Sequence, residues 1–402
     1  MAGRPGRCPY RVVAPAVQPW DVPSPVATDP PEVSADRLAA LARDVVEVGT
    51  SAGLSAVGIA GAAPFADARA VLEARRTAGL HGGMQFTFRN PARSTDPDRI
   101  LSGARSLVVG ALGYLRQDPV APAGDPRPGP DRPTGSIARY AWYDHYRTLQ
   151  AALDRVAGHL TAAGWRARVV VDDNALVDRV AAQRAGLGWF GRNTLLLLPG
   201  FGSWTVLGTV VTDAPLDPTA PRGPSAPAEG CGPCRRCVAA CPTGALVDDG
   251  VLDARRCLAW LAQAPGTFPE EFRVALGDRI YGCDDCQQVC PVNRTGERHH
   301  TPPPPESDGT SDVDLLALLG ASDADLLAAH GRWYIAERDP RYLRRNALVV
   351  LGNVGVATDP DTTATLTRFA QGDDALLAEH ARWALDRLGR SDDADGPAGT
   401  GG

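Results

Sequence analysis

The chain has 402 residues, a formal net charge of −6 and 44% hydrophobic residues, which is typical of a globular protein of two or three domains. The net charge argues against a globally basic nucleic-acid binder, although it leaves room for a local basic patch. All 41 basic residues are Arg, so catalysis through a lysine Schiff base is excluded.

Targeting signals are not apparent in the sequence. No apolar run approaches the length needed to span a bilayer, and the first 35 residues lack the apolar stretch of a secretory signal. We therefore expect a cytoplasmic, monomeric protein without membrane contact, in a compartment where thiols stay reduced.

The first segment, residues 1–34, is rich in Pro, Ala and Val and is predicted to be a disordered extension. Its Cys8 is interpreted as an incidental thiol. Helix and strand signals then alternate up to residue 217. They predict a helix at 36–53, a strand at 55–60, a helix at 65–78, a strand at 106–112, a helix that ends at Gly164, a strand at 166–171, a helix at 175–185, and strands at 194–198 and 203–212.

Two loops interrupt this pattern. Residues 81–97 carry aromatic residues and Arg89 without clear periodicity, and residues 116–135 are so rich in Pro and Gly that they are predicted to be loop.

The stretch IARYAWYDHY, residues 137–146, concentrates aromatic and charged residues at the entrance of a helix. Such a concentration suits a binding site, but it also suits the edge of an aromatic core. From the spacing alone, Asp144 is interpreted as a helix N-cap or first-turn carboxylate favoured by the helix dipole, and a role in a binding site is the alternative.

The stretch AGLGWFGRN, residues 185–193, places three Gly around a Leu and a Trp. Gly allows a backbone to approach a large ligand closely. A plain turn is the alternative interpretation.

The cysteines carry the sharpest signal. Cys231, Cys234, Cys237 and Cys241-Pro242 form the run typical of two-cluster ferredoxins, and a shortened second copy ends in Cys290-Pro291. The second copy has Ile280 where its first Cys should stand, and Cys257 is the only other Cys nearby. We assign one 4Fe-4S cluster to Cys231, Cys234, Cys237 and Cys290, and the other to Cys241, Cys257, Cys283 and Cys286.

Structural zinc and disulfides are the alternatives for these thiols. Zinc sites also use CxxC pairs, but they do not need three consecutive Cys steps with a trailing Cys-Pro in both copies. Disulfides are not required, because a chain of this length buries a large core without them.

Pro-rich linkers, residues 218–229 and 297–311, flank the cysteine segment. Beyond them, residues 341–355 and 375–389 match at a period of about 34 residues, which indicates a HEAT-like helical repeat. Arg338, Arg341 and Arg345 are predicted to share one helix face. Contact with phosphates is one interpretation of this charge pattern. The alternative is an ordinary solvated surface.

The assembled motifs resemble the epoxyqueuosine reductases, which modify tRNA. The resemblance covers residues 35–389 and rests on RYA at 139–141, AGLGWFGRN at 185–193, GSW at 202–204, CGPCRRCVAACPTGA at 231–245, DARRC at 253–257 and IYGCDDCQQVCPVN at 280–293. It implies an α+β fold with a nitroreductase-like cobalamin domain at 35–217, a two-cluster ferredoxin-like module at 218–300, HEAT-like helices at 311–390 and a disordered tail at 391–402.

The resemblance also implies function. The implied reaction reduces the epoxide of epoxyqueuosine, in tRNA with a GUN anticodon, to the alkene of queuosine. The implied cofactors are cobalamin and two 4Fe-4S clusters, fed by an external low-potential electron donor. Asp144 is the implied proton donor, Arg341 and Arg345 the tRNA contacts, and the implied cofactor-binding residues are Arg89, Arg139, Tyr140, Asp172, Gly188, Trp189, Gly191, Arg192, Asn193 and Ser203.

Three positions depart from the family's pattern. The family's Gly-x-Asp-Tyr-His order is replaced by residues 142–146, which shifts the register of Asp144. Arg192 stands where Lys is usual, and Asp178 where Glu is usual. Both keep the charge, but Arg for Lys changes the hydrogen-bond geometry.

Two rival functions remain open. One is a corrinoid and iron-sulfur reductase of a small molecule, similar to reductive dehalogenases. The other is an iron-sulfur electron carrier. Bound cobalt in the purified protein separates the enzymes from the carrier.

Overall fold

A four-stranded antiparallel sheet lies at the centre of the N-terminal part. A computed structural model of the chain describes residues 34–117, 132–219, 227–299 and 309–394. The predicted extension with Cys8, most of the C-terminal tail and most of both linkers lie outside these ranges. The elements up to residue 219 are α1 Ala35–Ser51, β1 Ala56–Gly61, α2 Ala66–Thr77, α3 Pro91–Ser94, β2 Ser106–Gly113, β3 Thr134–Ile137, α4 His145–Ala162, β4 Ala167–Val171, α5 Asp178–Arg184, β5 Trp189–Phe190, β6 Leu196–Leu197 and β7 Thr205–Thr212.

The sheet order β1-β2-β7-β4 buries both faces of the two central strands. Leu107 and Val109 of β2 pack on the α5 side, whereas Gly110 of β2 and its partner Gly208 of β7 lie under Leu153 of α4. Side chains alternate across a strand, so the continuous apolar run at 106–112 reflects two buried faces. The two glycines let α4 approach the sheet closely.

The cysteine segment is made of short elements. They are α6 Pro227–Cys231, α7 Arg236–Ala240, β8 Leu246–Asp248, β9 Val251–Leu252, α8 Leu258–Leu261, α9 Glu270–Leu276, β10 Arg279–Tyr281, α10 Asp285–Gln288 and α11 Pro291–His299. Short helices joined by turns are stable here because they pack on the rest of the chain rather than on their own length.

The C-terminal part is helical after one short strand. Its elements are β11 Asp312–Asp314, α12 Leu315–Gly320, α13 Asp323–His330, α14 Arg341–Val354, α15 Pro360–Ala370 and α16 Ala375–Ala394. Helix α14 packs against α16 and α12, and α15 packs against α16. Among the described residues, no helix combines the length and the apolar composition that a membrane span requires.

A three-stranded sheet joins the three predicted parts. Strand β3 pairs in parallel with β10 and antiparallel with β11, so each predicted part contributes one strand. Residues 134–135 were predicted to be loop, and this prediction was wrong, because β3 carries no apolar run of its own and is held by its two partners. The described residues from Ala35 onward form one compact unit, and the predicted domain boundaries stay predictions.

One hydrophobic core continues through this junction. It contains Trp142 from the entrance of α4, Phe268 and Ile280 from the cysteine segment, and Leu348 and Ala381 from the helical tail. The tail is therefore built into the same core as the cysteine segment.

Candidate active site and cluster centres

The first thiol set gathers around two short helices. Cys231 ends α6, Cys237 lies in α7 and Cys290 directly precedes α11. Burial raises the pKa of Cys237, and the neighbouring thiols of Cys231, Cys290 and Cys234 raise it further. The fold thus brings together the four cysteines that the sequence assigns to one cluster.

The second thiol set combines Cys257 with the shortened cysteine run. Burial raises the pKa of Cys286 well above its ordinary value, and Cys283 and Cys257 add to the effect. The pKa of Cys257 is raised by burial and, to a lesser extent, by Cys241. Cys237 of the first set also acts on Cys286, so the two sets adjoin.

The arrangement of the thiols differs from that of a single-metal site. Among the described residues, no three His, Cys, Asp or Glu side chains converge closely enough to hold one metal ion, and all eight thiols of the segment are free. Each thiolate of a cubane binds a different iron atom, so the four sulfurs of a cluster site stay apart. The residues present fit two 4Fe-4S clusters.

The glycines of AGLGWFGRN face the protein's own backbone. A Cβ on Gly188 would lie 2.2 Å from the carbonyl oxygen of Leu197, and one on Gly191 would lie 2.9 Å from the side chain of Leu197. The glycines therefore allow β5 and β6 to pack closely. Trp189 lies against Gly230 of α6, which places this loop beside the first thiol set. Cofactor contacts by Gly188, Trp189, Gly191 and Asn193 stay predictions.

Arg192 holds the first cysteine loop. Its Nη1 donates to the carbonyl oxygens of Gly232 at 2.6 Å and Cys234 at 2.8 Å, and its Nε lies 2.9 Å from a carboxylate oxygen of Asp249. The side chain is only 8% exposed. These contacts serve the cysteine loop, and a contact of Arg192 with cobalamin stays a prediction.

Ser203 links the central sheet to the cysteine segment. Its backbone N–H donates to Oδ1 of Asn293 at 2.7 Å, and its hydroxyl donates to Oε1 of Gln287 at 3.0 Å. Asn293 Nδ2 donates to the carbonyl oxygen of Gln287 at 2.9 Å. All three residues are buried. Through these hydrogen bonds Ser203 connects the central sheet to the cysteine segment. A direct contact of Ser203 with a cofactor stays a prediction.

Asp144 is the N-cap of α4. Its Oδ1 accepts a hydrogen bond from the backbone N–H of Arg147 at 3.0 Å, so the N-cap interpretation is confirmed. The residue is half-buried beside Tyr143 and His145. An N-cap needs only one carboxylate oxygen, which leaves the other free for a second task.

Acidic and aromatic side chains cluster beside this helix entrance. Burial raises the pKa of Tyr146 well above its ordinary value, and Asp172 and Asp178 raise it further. Burial also raises the pKa of Asp178 well above its ordinary value, with Asp172 as the second cause. Oδ1 of Asp178 is buried without a hydrogen-bond partner. An orphaned buried acceptor marks a place where a polar group of a ligand fits.

Arg139 and Tyr140 contact the chain around Cys283. The backbone N–H of Arg139 donates to Asp284 at 2.7 Å, and its guanidinium lies 5.1 Å from the ring centre of Trp142. Burial raises the pKa of Tyr140 well above its ordinary value, and the adjacent Tyr281 raises it further. The sequence analysis missed Tyr146, Tyr281 and Asp284 as site residues. The signal was their position next to Asp144 and to the ligand cysteines.

Arg89 lies at a cavity that also involves Asn174 in the loop after β4. It is exposed and lines this cavity of about 420 Å³ together with Arg93, Asn174 and three other polar residues. Asp172 follows β4 with a left-handed backbone at φ 48°, a conformation that Asp tolerates better than most residues. Contacts of Arg89 and Asp172 with cobalamin stay predictions.

The two predicted tRNA contacts in the tail have different environments. Arg341 has a side chain 47% exposed and pairs with Asp339 at 2.7 Å and Asp374 at 3.5 Å. Arg345 is fully buried, so the prediction that it contacts phosphate was wrong. Arg338 precedes α14 in a separate 3₁₀ turn. The predicted shared face does not exist, because the helix begins at Arg341 and its next turn faces the core.

Comparisons with known proteins agree with this geometry. The family model described as "Epoxyqueuosine reductase QueG, DUF1730" matches residues 94–173, and the model described as "4Fe-4S double cluster binding domain" matches residues 230–293. The epoxyqueuosine reductase of Bacillus anthracis is 33% identical over 357 residues, which cover 87% of this chain and 89% of that protein. The chain belongs to the epoxyqueuosine reductase family.

Further members of the family support the assignment over the same extent. The epoxyqueuosine reductase of Shewanella oneidensis is 34% identical and covers 87% of this chain and 88% of its own. A crystal structure of an epoxyqueuosine reductase with an epoxyqueuosine-modified tRNA-Tyr stem loop aligns at a TM-score of 0.77 and 30% identity, over 88% of this chain and 91% of that one. The structure from Streptococcus thermophilus aligns at a TM-score of 0.75 and 28% identity, over 90% and 95%.

Proposed function

We infer that this protein is an oxidoreductase that reduces epoxyqueuosine in tRNA to queuosine. The observation that carries this inference is the match to epoxyqueuosine reductases over 87% of the chain. The match of the double-cluster family model to residues 230–293, which contain all eight cysteines of both thiol sets, supports it. The cofactors are two 4Fe-4S clusters and cobalamin.

The reaction fixes what the site must supply. Converting the epoxide to an alkene consumes two electrons and two protons, breaks both carbon–oxygen bonds and releases the oxygen as water. Each cluster carries one electron at a time, and cluster potentials reach low values when the cluster is buried. The adjoining thiol sets form a path for electrons from an external low-potential donor to the pocket beside Asp144.

Cobalamin, when bound, supplies a low-valent cobalt that delivers reducing equivalents to the epoxide. Of the residues present, Arg139, Tyr140 and the Asp172–Asp178 pair are proposed to form the pocket that would hold it. The orphaned Oδ1 of Asp178 fits a polar group at the edge of a large ligand. The buried aromatic rings around the pocket exclude water from the reacting atoms.

Asp144 provides a proton to the departing oxygen in this proposal. It lies at the mouth of the aromatic stretch, and its one N-cap hydrogen bond orients the carboxyl group. A positioned general acid accelerates such a step by about 10²–10⁴-fold.

The helical tail is proposed to be HEAT-like and to contact the tRNA, and the N-terminal part to be a nitroreductase-like cobalamin domain. Arg341 is the proposed phosphate contact, since its guanidinium is exposed and lies on the tail. A tRNA with a GUN anticodon is the proposed substrate. The protein is also proposed to be a monomer and to act in the cytoplasm.

Anaerobic purification followed by metal analysis tests this function. We expect iron at about eight ions per chain, together with cobalt. Incubation of the reduced protein with epoxyqueuosine-containing tRNA is expected to yield queuosine in the nucleoside mass spectrum. Iron without cobalt would instead support an electron carrier, and cobalt without queuosine formation would support a reductase of a small molecule.

A further inference from the structure

Arg345 is a buried cation held without a carboxylate partner. Its side chain is fully buried, and among the described residues no Asp or Glu forms an ion pair with it. Burial lowers the pKa of Arg345 to about 10, so the guanidinium stays charged at neutral pH. A buried charge is retained only where other groups compensate it.

The compensating groups are backbone carbonyls at the end of α8 and in the turn that follows it. Nη2 of Arg345 donates to the carbonyl oxygen of Leu261 at 2.9 Å, and Nη1 donates to those of Ala264 at 2.7 Å and Gly266 at 2.6 Å. The last carbonyls of a helix have no partner within the helix. Arg345 therefore fixes the C-terminal end of α8, whose N-cap residue is the cluster ligand Cys257.

Asn346 extends the same contact to the second cysteine run. Its Nδ2 donates to the carbonyl oxygens of Ala262 at 2.8 Å and Ile280 at 3.1 Å, and its Oδ1 accepts from Nη2 of Arg345 at 2.8 Å. Ile280 stands at the position where the ferredoxin pattern has its missing Cys, three residues before Cys283. One amide thus ties the backbone beyond Cys257 to the backbone before Cys283.

We propose that Arg345 and Asn346 are positioning residues for the second cluster, through their hydrogen bonds to the backbone segments that carry Cys257 and Cys283. Cys257 lies outside the cysteine run, so no short CxxC loop fixes its distance from Cys283. Helix α14 supplies that constraint from the tail. The proposal rests on the two-cluster assignment of the proposed function and is independent of the tRNA substrate.

The side-chain chemistry makes the role specific. A guanidinium has five donors in a planar fork, which matches several carbonyls at once, whereas the ammonium of Lys is a single point charge. In Asn346→Asp the carboxylate still accepts a hydrogen bond from Arg345. It has no N–H to donate to the carbonyl oxygens of Ala262 and Ile280, so both of those hydrogen bonds are lost. That variant removes the tie to both segments while Arg345 stays compensated.

The test uses the full chain, reconstituted anaerobically, with iron content, electron paramagnetic resonance and potentiometric titration of both clusters as readouts. In Arg345→Met and Asn346→Asp we expect iron to fall from about eight to about four ions per chain, or the signal and potential of one cluster alone to shift. Arg345→Lys is expected to restore part of the loss. Should Arg345→Met fail to fold, Asn346→Asp decides the question.

Asn353→Ala is the matched control. Asn353 lies on the same helix and donates to the carbonyl oxygens of Arg273 at 2.8 Å and Gly277 at 3.1 Å, in a segment without cysteine. Its iron content and both cluster signals are expected to match the wild type. Unchanged clusters in a folded Asn346→Asp, or equal loss of both clusters, would overturn the proposal. A wild-type chain without iron would instead overturn the cluster assignment and the inference with it.

Discussion

Asp144 has two roles that one substitution separates. Asn caps helices about as well as Asp, so Asp144→Asn keeps the hydrogen bond from Arg147 and removes only the acidic proton. We expect single-turnover formation of queuosine by the reduced enzyme to fall by about 10²–10⁴-fold, with unchanged iron content and unfolding midpoint.

The matched control for this prediction is Asp359→Asn. Asp359 caps α15, where its side chain accepts a hydrogen bond from the backbone N–H of Thr362. The same change there is expected to leave turnover intact. Full turnover in Asp144→Asn would exclude Asp144 as the proton donor.

His380 makes the junction between tail and cysteine segment sensitive to pH. It is fully buried, its Nδ1–H donates to the carbonyl oxygen of Leu376, and its Nε2 accepts from the backbone N–H of Phe268 at 3.1 Å. Burial lowers its pKa to about 4. Among its charged neighbours, Arg273 and Arg345 lower the pKa and Glu379 raises it.

The unfolded chain binds a proton on His380 at a pH where the folded chain does not. The stabilisation is therefore present above pH 6.5 and is lost as the pH falls toward about 4. Relative to pH values above 6.5, the loss amounts to about 2 kcal/mol at pH 5. Between pH 7 and pH 5, we expect His380→Gln to lose less free energy of unfolding than the wild type, as measured by denaturant titration. Equal losses would contradict this.

Replacing Gly by Ala is expected to change stability in opposite directions at two positions, because one is closely packed and the other is open. In Gly188→Ala the new Cβ would lie 2.2 Å from the carbonyl oxygen of Leu197, so β5 and β6 must separate, at a cost of about 1–3 kcal/mol or more. Gly158 lies in α4 with open space around its Cβ position. Gly158→Ala is expected to stabilise the protein by up to about 1 kcal/mol. The denaturation midpoints of the two variants measure these changes in stability. If both midpoints shift in the same direction, the steric argument is refuted.

Strand β3 shows why some elements cannot be predicted from the sequence. Its four residues carry no alternating pattern, and they form a strand because β10 and β11 flank them. Helix α14, in contrast, lies in the stretch 341–355, which the sequence predicted to be part of a helical repeat. Periodicity identifies elements with their own buried face, whereas pairing partners that are distant in sequence leave no local signal.

At the scale of the whole molecule, the tail is not a separable module. It shares a core with the cysteine segment and contributes β11 to the joining sheet. Removing residues 312–402 would therefore expose this core, and loss of tRNA binding by such a truncation would not locate the binding surface. Surface substitutions test the tail instead.

Arg341→Ala tests the proposed tRNA contact. Removing one phosphate contact is expected to weaken tRNA binding for all substrate tRNAs alike and to reduce the slope of log affinity against log salt by about 1. Titrations at several salt concentrations measure this. Arg69→Ala, at an exposed residue that pairs with Glu73 on α2, is the control. Unchanged affinity and slope in Arg341→Ala would exclude this contact.

The sequence by itself determined the family and predicted the eight ligand cysteines and the proton donor, because thiolate spacing and short motifs are local properties of the chain. It also indicated that Cys257 replaces the ligand missing at Ile280. Two 4Fe-4S clusters need eight thiolates, and the segment supplies eight only when Cys257 is included. The tertiary structure alone decided that Arg345 is buried and Arg341 exposed, and that Arg192 holds the first cysteine loop. A charge pattern does not reveal which guanidinium will find backbone carbonyls inside the fold. That outcome depends on segments that meet only when the central sheet, the cysteine segment and the tail share one core.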